Sequence, residues 1–299
     1  MNRWVLGARP RTLPAAIVPV LVGSAAAVGL HGSVAPGADR WINFVLAMVV
    51  ALALQVATNY ANDYSDGKRG TDDPAQRVGP PRLVGNGLAT SSEVKRALIA
   101  AFGVALLAGG ALTLRVGWEL IPVGVASVAA GWFYTGGSRP YVYAGFGEVF
   151  VFLFFGVVAT TGSTYVQLGR ISWLSAAASV VIGCLATSML VVNNLRDIPG
   201  DTVVGKRTLA VRLGDQRTRI LYAVLMTLPF LLLPFIAGLG GRPLGSFAFI
   251  AIVLSTKPVV TVLGGAKGPA LIPVLGAGGK AQLAYGALLS VGFVVSLWI

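Results

Sequence analysis

Residues 41–66, WINFVLAMVVALALQVATNYANDYSD, begin as an apolar run and end as a polar stripe. No charged residue stands between Trp41 and Asn62. A helix needs about 20 mainly apolar residues to cross the hydrocarbon core. A barrel strand would alternate apolar and polar positions, and this run does not. It therefore reads as a membrane helix. At 100° per residue, Asn59, Asn62, Asp63 and Asp66 fall within about a 100° arc of one face. The helix thus finishes in a one-sided row of amides and carboxylates.

Eight further runs resemble its apolar part. The nine spans are expected near 13–30, 41–60, 97–114, 118–134, 146–168, 173–193, 220–238, 245–263 and 281–299. The fold class is an all-α polytopic membrane protein. Composition agrees: of 299 residues, 55% are hydrophobic and 11% charged, against roughly 25% charged in a soluble domain. A disordered chain and a disulfide scaffold are excluded, since Cys184 is the one cysteine. The first run, preceded by Arg3, Arg9 and Arg11, has the look of a secretory signal. With eight spans behind it, it reads as an uncleaved first helix.

Nineteen of the 23 Lys and Arg residues fall on the N-terminus and the alternate connections on its side, and four on the other. The positive-inside rule then places the N-terminus in the cytoplasm and the C-terminus outside. The net charge of +12 is accounted for by orientation, and no nucleic-acid partner is expected. The two long connections, about 61–96 and 194–219, form a cytoplasmic cap on a single membrane-embedded domain, 1–299.

The second of those connections opens with another polar stripe, Asn193-Asn-Leu-Arg-Asp197 with Asp201 beyond it. Asn193 and Asp197 share a helix face. Asp201 joins them only if the helix survives Pro199-Gly200, a pair expected to end or distort it. Six of the eleven acids of the chain are Asp63, Asp66, Asp72, Asp73, Asp197 and Asp201. Solvated surface aspartates are the plain alternative. Two such stripes on one side of an acid-poor membrane protein instead suggest a shared site. Clustered carboxylates repel one another and favour a bound cation. Oxygen-only ligands suit Mg²⁺, which binds a few carboxylates plus substrate phosphates. Lys68, Arg69, Arg77 and Arg82 follow the first stripe, and Lys206, Arg207 and Arg212 the second. Carboxylates holding Mg²⁺ beside cations holding phosphate oxygens make a diphosphate site.

With these residues in view, the chain resembles the UbiA superfamily of intramembrane aromatic prenyltransferases, and within it the MenA-type, 1,4-dihydroxy-2-naphthoate polyprenyltransferase branch. The markers are Arg9-Pro-Arg-Thr-Leu-Pro14, Asn62-Asp-Tyr-Ser-Asp66 with Gly70-Thr-Asp72, Arg77-Val-Gly-Pro80 and Arg82-Leu-Val84. Further on come Tyr134-Thr-Gly-Gly-Ser-Arg-Pro-Tyr141, Gly145-Phe-Gly-Glu148, Asn193 to Asp197 and Gly205-Lys-Arg-Thr-Leu209. One departure is Gly70, where many members carry the third acid of the first motif. Asp72 is favoured over Asp73 in its place.

The resemblance implies a helical bundle around a central cavity in the cell membrane, with its active-site loops on the cytoplasmic side. It implies transfer of a polyprenyl chain from polyprenyl diphosphate to 1,4-dihydroxy-2-naphthoate, with loss of CO2 and diphosphate. The product is demethylmenaquinone, on the route to menaquinone. Mg²⁺ is expected on Asp63, Asp66, Asp72, Asp197 and Asp201. Asn59 and Asn62 would orient metal-bound water or the carboxylates. Asn193, Lys206, Arg77 and Arg139 would hold diphosphate, and Tyr134 and Tyr141 would touch it or face the allylic cation. Glu148 is expected to line the cavity or reach the interface. A sister enzyme acting on 4-hydroxybenzoate or another aromatic acceptor is the nearest alternative. A cation-coupled transporter is the remote one, since transporter sites usually lie near the bilayer midplane.

Overall fold

Each of the nine apolar runs lies on helix in the computed structural model, which describes residues 2–33, 39–71 and 78–299. Helix α1 (Arg3–Ala8) and a 3₁₀ turn (Pro10–Thr12) lead into α2 (Pro14–Ala27), the two parts meeting at 52°. Then follow α3 (Asp39–Arg69), α4 (Ser91–Val116), α5 (Leu120–Phe133), α6 (Gly147–Leu168) and α7 (Trp173–Val203). The chain ends with α8 (Leu209–Leu239), α9 (Pro243–Leu263) and α10 (Gly268–Trp298). There is no strand among the described residues. Seven of these helices are each long and apolar enough to span, and the bent pair Arg3–Thr12 with α2 makes an eighth. The 14 residues of α5 fall short of that length.

Helices α3, α4 and α5 pack on one another, as do α7 to α10, and α2 touches both groups while also packing on α6. Leu, Val, Tyr and Phe from α7 to α10 form the main core with the buried face of α2. Polar residues punctuate the chain. Thr90 and Glu93 form a reciprocal capping box that starts α4, and Ser172 accepts the Ser175 N–H at 3.1 Å to start α7.

Helix α6 contains a π-helical stretch, Phe152–Val158. Its cavity-lining residues form two adjacent rows spaced by four, Phe150, Phe154, Val158, Gly162 and Val166 beside Val151, Phe155, Ala159 and Ser163. In a regular α-helix such a row turns by about 40° per step and would soon leave the wall. The wider π turn, closed i→i+5, rotates the row back. Gly156 sits within this stretch against Gly183 of α7. A Cβ at Gly156 would lie 2.4 Å from the Gly183 Cα, so this pair of glycines sets how closely the two helices approach.

The helices extend further than the spans read from the sequence. Helix α3 runs to Arg69, so the first connection begins at Gly70 rather than at 61. Helix α7 passes through Pro199-Gly200 to Val203, correcting the expected break. Proline removes one N–H donor there, but Thr202 Oγ bonds to the Ile198 carbonyl at 2.8 Å, and the Val204 N–H bonds to the Gly200 carbonyl at 3.1 Å, continuing the turn. The second connection is consequently residues 204–208. Asn193, Asp197 and Asp201 stand on one helical face.

Candidate active site

A cavity of about 950 Å³ enters the bundle between α2, α3, α4, α5, α6 and α7. Its deep walls are apolar, built from residues such as Val20, Val50, Leu54, Leu112, Phe154 and Val158. Its mouth carries Arg9, Asn59, Asn62, Asp66, Arg82, Tyr143, Asn193, Arg196, Asp197, Asp201 and Lys206. An apolar channel with charged groups at one end fits a long amphiphile with an anionic head.

Asp66 is the hub of the mouth. Its Oδ1 accepts the Tyr143 hydroxyl at 2.8 Å and its Oδ2 accepts Lys206 Nζ at 3.0 Å. The Lys206 ammonium also lies 4.8 Å from the Tyr143 ring centroid, and the Arg69 guanidinium 5.5 Å from the same ring. Arg69 in turn donates to the carbonyls of Thr135 and Gly137. Burial pushes the Lys206 ammonium toward the neutral form. The charges of Asp66, Tyr143 and Asp201 outweigh that effect and hold its pKa above the usual lysine value.

The second stripe is organised by Arg196. Its Nε and Nη2 donate to the two Asp197 oxygens, each at 2.7 Å, and Nη2 also reaches Asn193 Oδ1 at 2.8 Å. The Asp197 side chain keeps 18% of its surface exposed, so it can meet a further cation. Asn194, beside Asn193, donates to Glu148 Oε1 at 2.9 Å. Glu148 is buried and outside the cavity lining. It neither lines the cavity nor reaches the interface, because it ties α6 to α7.

Asn59 and Asn62 line the cavity, and each uses one end of its amide on the protein. Asn59 Nδ2 donates to the Ala8 carbonyl at 2.9 Å and to Thr12 Oγ at 3.2 Å, and Asn62 Oδ1 accepts the Thr135 hydroxyl at 2.8 Å. Asp63 lies on the same turn but is not among the cavity-lining residues. Its carboxylate is held by Arg9, Arg82 and the Leu83 N–H.

Tyr134 and Tyr141 line the cavity in an aromatic row. Their rings meet edge-on at 5.5 Å, Tyr141 stacks on Phe150 at 4.0 Å, and Phe150 on Phe154 at 6.1 Å. The Tyr141 hydroxyl is occupied by the Ala130 carbonyl at 2.8 Å. Arg139 is exposed and stands outside the cavity lining. Asp72, Asp73 and Arg77 lie outside the described residues.

The structure adds residues that were not proposed for the site from sequence: Arg9, Tyr143 and Arg196. Arg9 and Arg196 stood in motifs already quoted. Nothing local distinguished Tyr143 from Tyr141, two positions earlier.

The donor set fits a hard divalent cation. Asp66, Asp197 and Asp201 line one mouth with amide oxygens nearby. Among the described residues no three Asp, Glu, His or Cys side chains converge on one point. That pattern suits a cation completed by substrate phosphate oxygens and water, rather than an all-protein cage.

A multi-pass helical bundle holding an apolar cavity with a cationic and carboxylate mouth defines the class: an intramembrane prenyltransferase fold. The chain belongs to the UbiA prenyltransferase family, whose model matches residues 16–263. It is 48% identical over 283 residues to a 1,4-dihydroxy-2-naphthoate octaprenyltransferase of Mycobacterium tuberculosis, covering 95% of this chain and 94% of that one. It is 38% identical over 229 residues to the Escherichia coli protein of the same name, covering 75% and 72%. Among solved structures, a UbiA homolog from Aeropyrum pernix K1 superposes with TM-score 0.68 at 13% identity, covering 99% of each chain. A homolog from Archaeoglobus fulgidus bound to DMAPP and Mg²⁺ superposes with TM-score 0.59 at 15% identity, covering 97% of this chain and all of that one. At such identities these two likenesses establish the fold alone.

Proposed function

We propose that this chain, acting as one membrane-embedded unit, transfers a polyprenyl chain from polyprenyl diphosphate to 1,4-dihydroxy-2-naphthoate. CO2 and diphosphate leave, and demethylmenaquinone forms in its reduced, quinol state, a step of menaquinone biosynthesis. The observation that carries this reading is the joining of Asp66 and Lys206 at the mouth of an apolar cavity, with Asp197 and Asp201 on the same mouth. The name of the 48% identical relative supports the acceptor.

Mg²⁺ held by Asp66, Asp197 and Asp201 would neutralise charge developing on the departing diphosphate. The chain's own cations serve the same end. Lys206, Arg9, Arg82 and Arg196 all line the mouth, where fixed positive charge stabilises phosphate oxygens. The allylic C–O bond then breaks in surroundings from which apolar walls exclude water. Tyr134, Tyr141 and Phe150 face that space, and their π-faces suit a delocalised cation or a flat acceptor ring. The ring attacks at the carbon bearing the carboxylate. Loss of CO2 restores aromaticity in place of proton removal, so the step needs no strong base.

Helix α5 packs on α3 and α4, and its Ile121, Val123 and Val125 line the cavity and are exposed. A tail of many isoprene units would enter from lipid along this side. The asymmetry of basic residues supports a mouth facing the cytoplasm from the cell membrane. Charges confined to one end favour prenyl transfer over transport.

A substrate-choice assay on purified protein in lipid tests the reading. Polyprenyl diphosphate is offered with 1,4-dihydroxy-2-naphthoate and 4-hydroxybenzoate together, with Mg²⁺ or with EDTA. A prenylated, decarboxylated naphthoquinol that vanishes with EDTA is expected. Prenylated hydroxybenzoate alone would reassign the acceptor.

A further inference from the structure

Asp63 reads in sequence as a cation ligand, but it stands behind the cavity wall. Its side chain is 1% exposed. Oδ1 accepts Arg82 Nη1 at 2.8 Å and also Arg9, and Oδ2 accepts the Leu83 N–H at 3.1 Å. Arg9 and Arg82 line the cavity, whereas Asp63 does not. A carboxylate ligand must aim a lone pair at the metal, and two guanidinium groups on one oxygen repel a second cation there.

Arg9 supplies an independent observation. Among the described residues it is the one non-glycine with positive φ, at 52° with ψ 69°. L-residues occupy this region at a cost, and the following Pro10 disfavours the right-handed alternative. The turn is held open to α3 by Asn59 on Ala8 and Thr12, and by Gln55 Nε2 on Thr12 Oγ at 3.0 Å. The Arg9 guanidinium ends this clamp on Asp63. Such a conformation persists where its surroundings over-determine it, as at ligand clamps.

We infer that Asp63 is a positioning residue, the buried counter-ion that fixes Arg9 and Arg82 on the cavity wall to receive anionic oxygens of substrate, and not a ligand of the divalent cation. The cation belongs to Asp66 and the acids of α7. The shared chemistry, phosphate or carboxylate oxygen on guanidinium, fits either the donor diphosphate or the acceptor carboxylate. This inference rests on reading the mouth as a diphosphate and cation site.

The test is Mn²⁺ binding with inorganic pyrophosphate, followed by the water-proton relaxation of bound Mn²⁺, on the full chain in lipid. Wild type, Asp63→Asn, Arg9→Gln, Asp66→Asn and the double variant Arg9→Gln with Asp63→Asn are compared. The double variant removes one unmatched charge and so guards against misfolding. Asp63→Asn and the double variant should keep Mn²⁺ affinity within about threefold, while Asp66→Asn loses about thirtyfold or more. In turnover, Asp63→Asn should raise a KM. A raised KM for polyprenyl diphosphate assigns the anion to the donor, and a raised KM for the naphthoate assigns it to the acceptor. Losses from Arg9→Gln and Asp63→Asn should be far from additive. The inference is overturned if both Asp63 variants lose Mn²⁺ as Asp66→Asn does, or if neither KM moves. Wild type that binds no Mn²⁺ with pyrophosphate would overturn the cation reading and this inference together.

Discussion

Lys206 Nζ lies 3.0 Å from Asp66 Oδ2, joining residues 140 positions apart. One belongs to the short connection after α7, the other to the last turns of α3. Tyr143, from a third segment, completes the contact by donating to the same carboxylate. The contact brings the two polar stripes to one mouth. It also presents a cation beside the carboxylate that is the best-placed ligand of the first stripe.

Lys206→Met should leave the bundle folded and the Asp66 carboxylate without its ammonium. Loss of one preorganised cation at a developing anion costs about 10²–10³ in rate. Initial rates with varied polyprenyl diphosphate measure it, and near-wild-type kcat/KM would remove Lys206 from the diphosphate site.

Asp66→Asn and Asp197→Asn each keep side-chain shape while removing a charge. Both should abolish most turnover, yet yield monodisperse protein after extraction. Treatment with EDTA should reproduce the loss in wild type, and added Mg²⁺ should reverse it. Full activity in either variant would mean that the two stripes do not share a cation.

The aromatic row predicts a separation of roles. Tyr141→Phe removes the hydrogen bond to Ala130 but keeps the stack on Phe150. It should cost about 1 kcal/mol of stability with little change in turnover. Phe150→Ala opens the wall and should slow turnover well beyond Tyr141→Phe. Thermal unfolding and product formation, measured on both variants, separate packing from a direct role of the ring. Equal kinetics in the two would argue against the aromatic wall.

Gly156→Ala should disturb the α6–α7 contact, because its Cβ would meet the Gly183 backbone at 2.4 Å. Overpacking of this kind costs about 1–3 kcal/mol and would shift the π-helical stretch that carries Phe154. Gly103→Ala on α4, where nothing lies within 4 Å of the added carbon, is the control and should leave Tm unchanged or slightly raised. A Gly156→Ala protein with wild-type Tm would show that the helices separate freely.

Much of the site was legible because helical periodicity is local. Asn193 and Asp197 share a face in the sequence and in α7 alike, and Asp66 stands at the cavity as its register requires. The extent of each helix was less legible. Apolarity marks where lipid ends, not where the backbone leaves the helix, so the connections were placed from about 61 and 194, well inside α3 and α7. The Pro199-Gly200 pair misled for a related reason. A single missing N–H near a helix end is tolerated when neighbouring groups continue the turn.

The sequence by itself determined a polytopic helical membrane protein, its family, and two acid-bearing helix ends. Hydropathy and the 3.6-residue period depend only on neighbours along the chain. The tertiary structure alone decided which charges meet. It turned Asp63 toward Arg9 and Arg82, Asp66 toward Lys206 and Tyr143, and Asn194 toward Glu148. Asp63 and Asp66 are chemically identical and three residues apart. Their different partners arise because one faces the Leu83 backbone behind the wall and the other faces the open mouth.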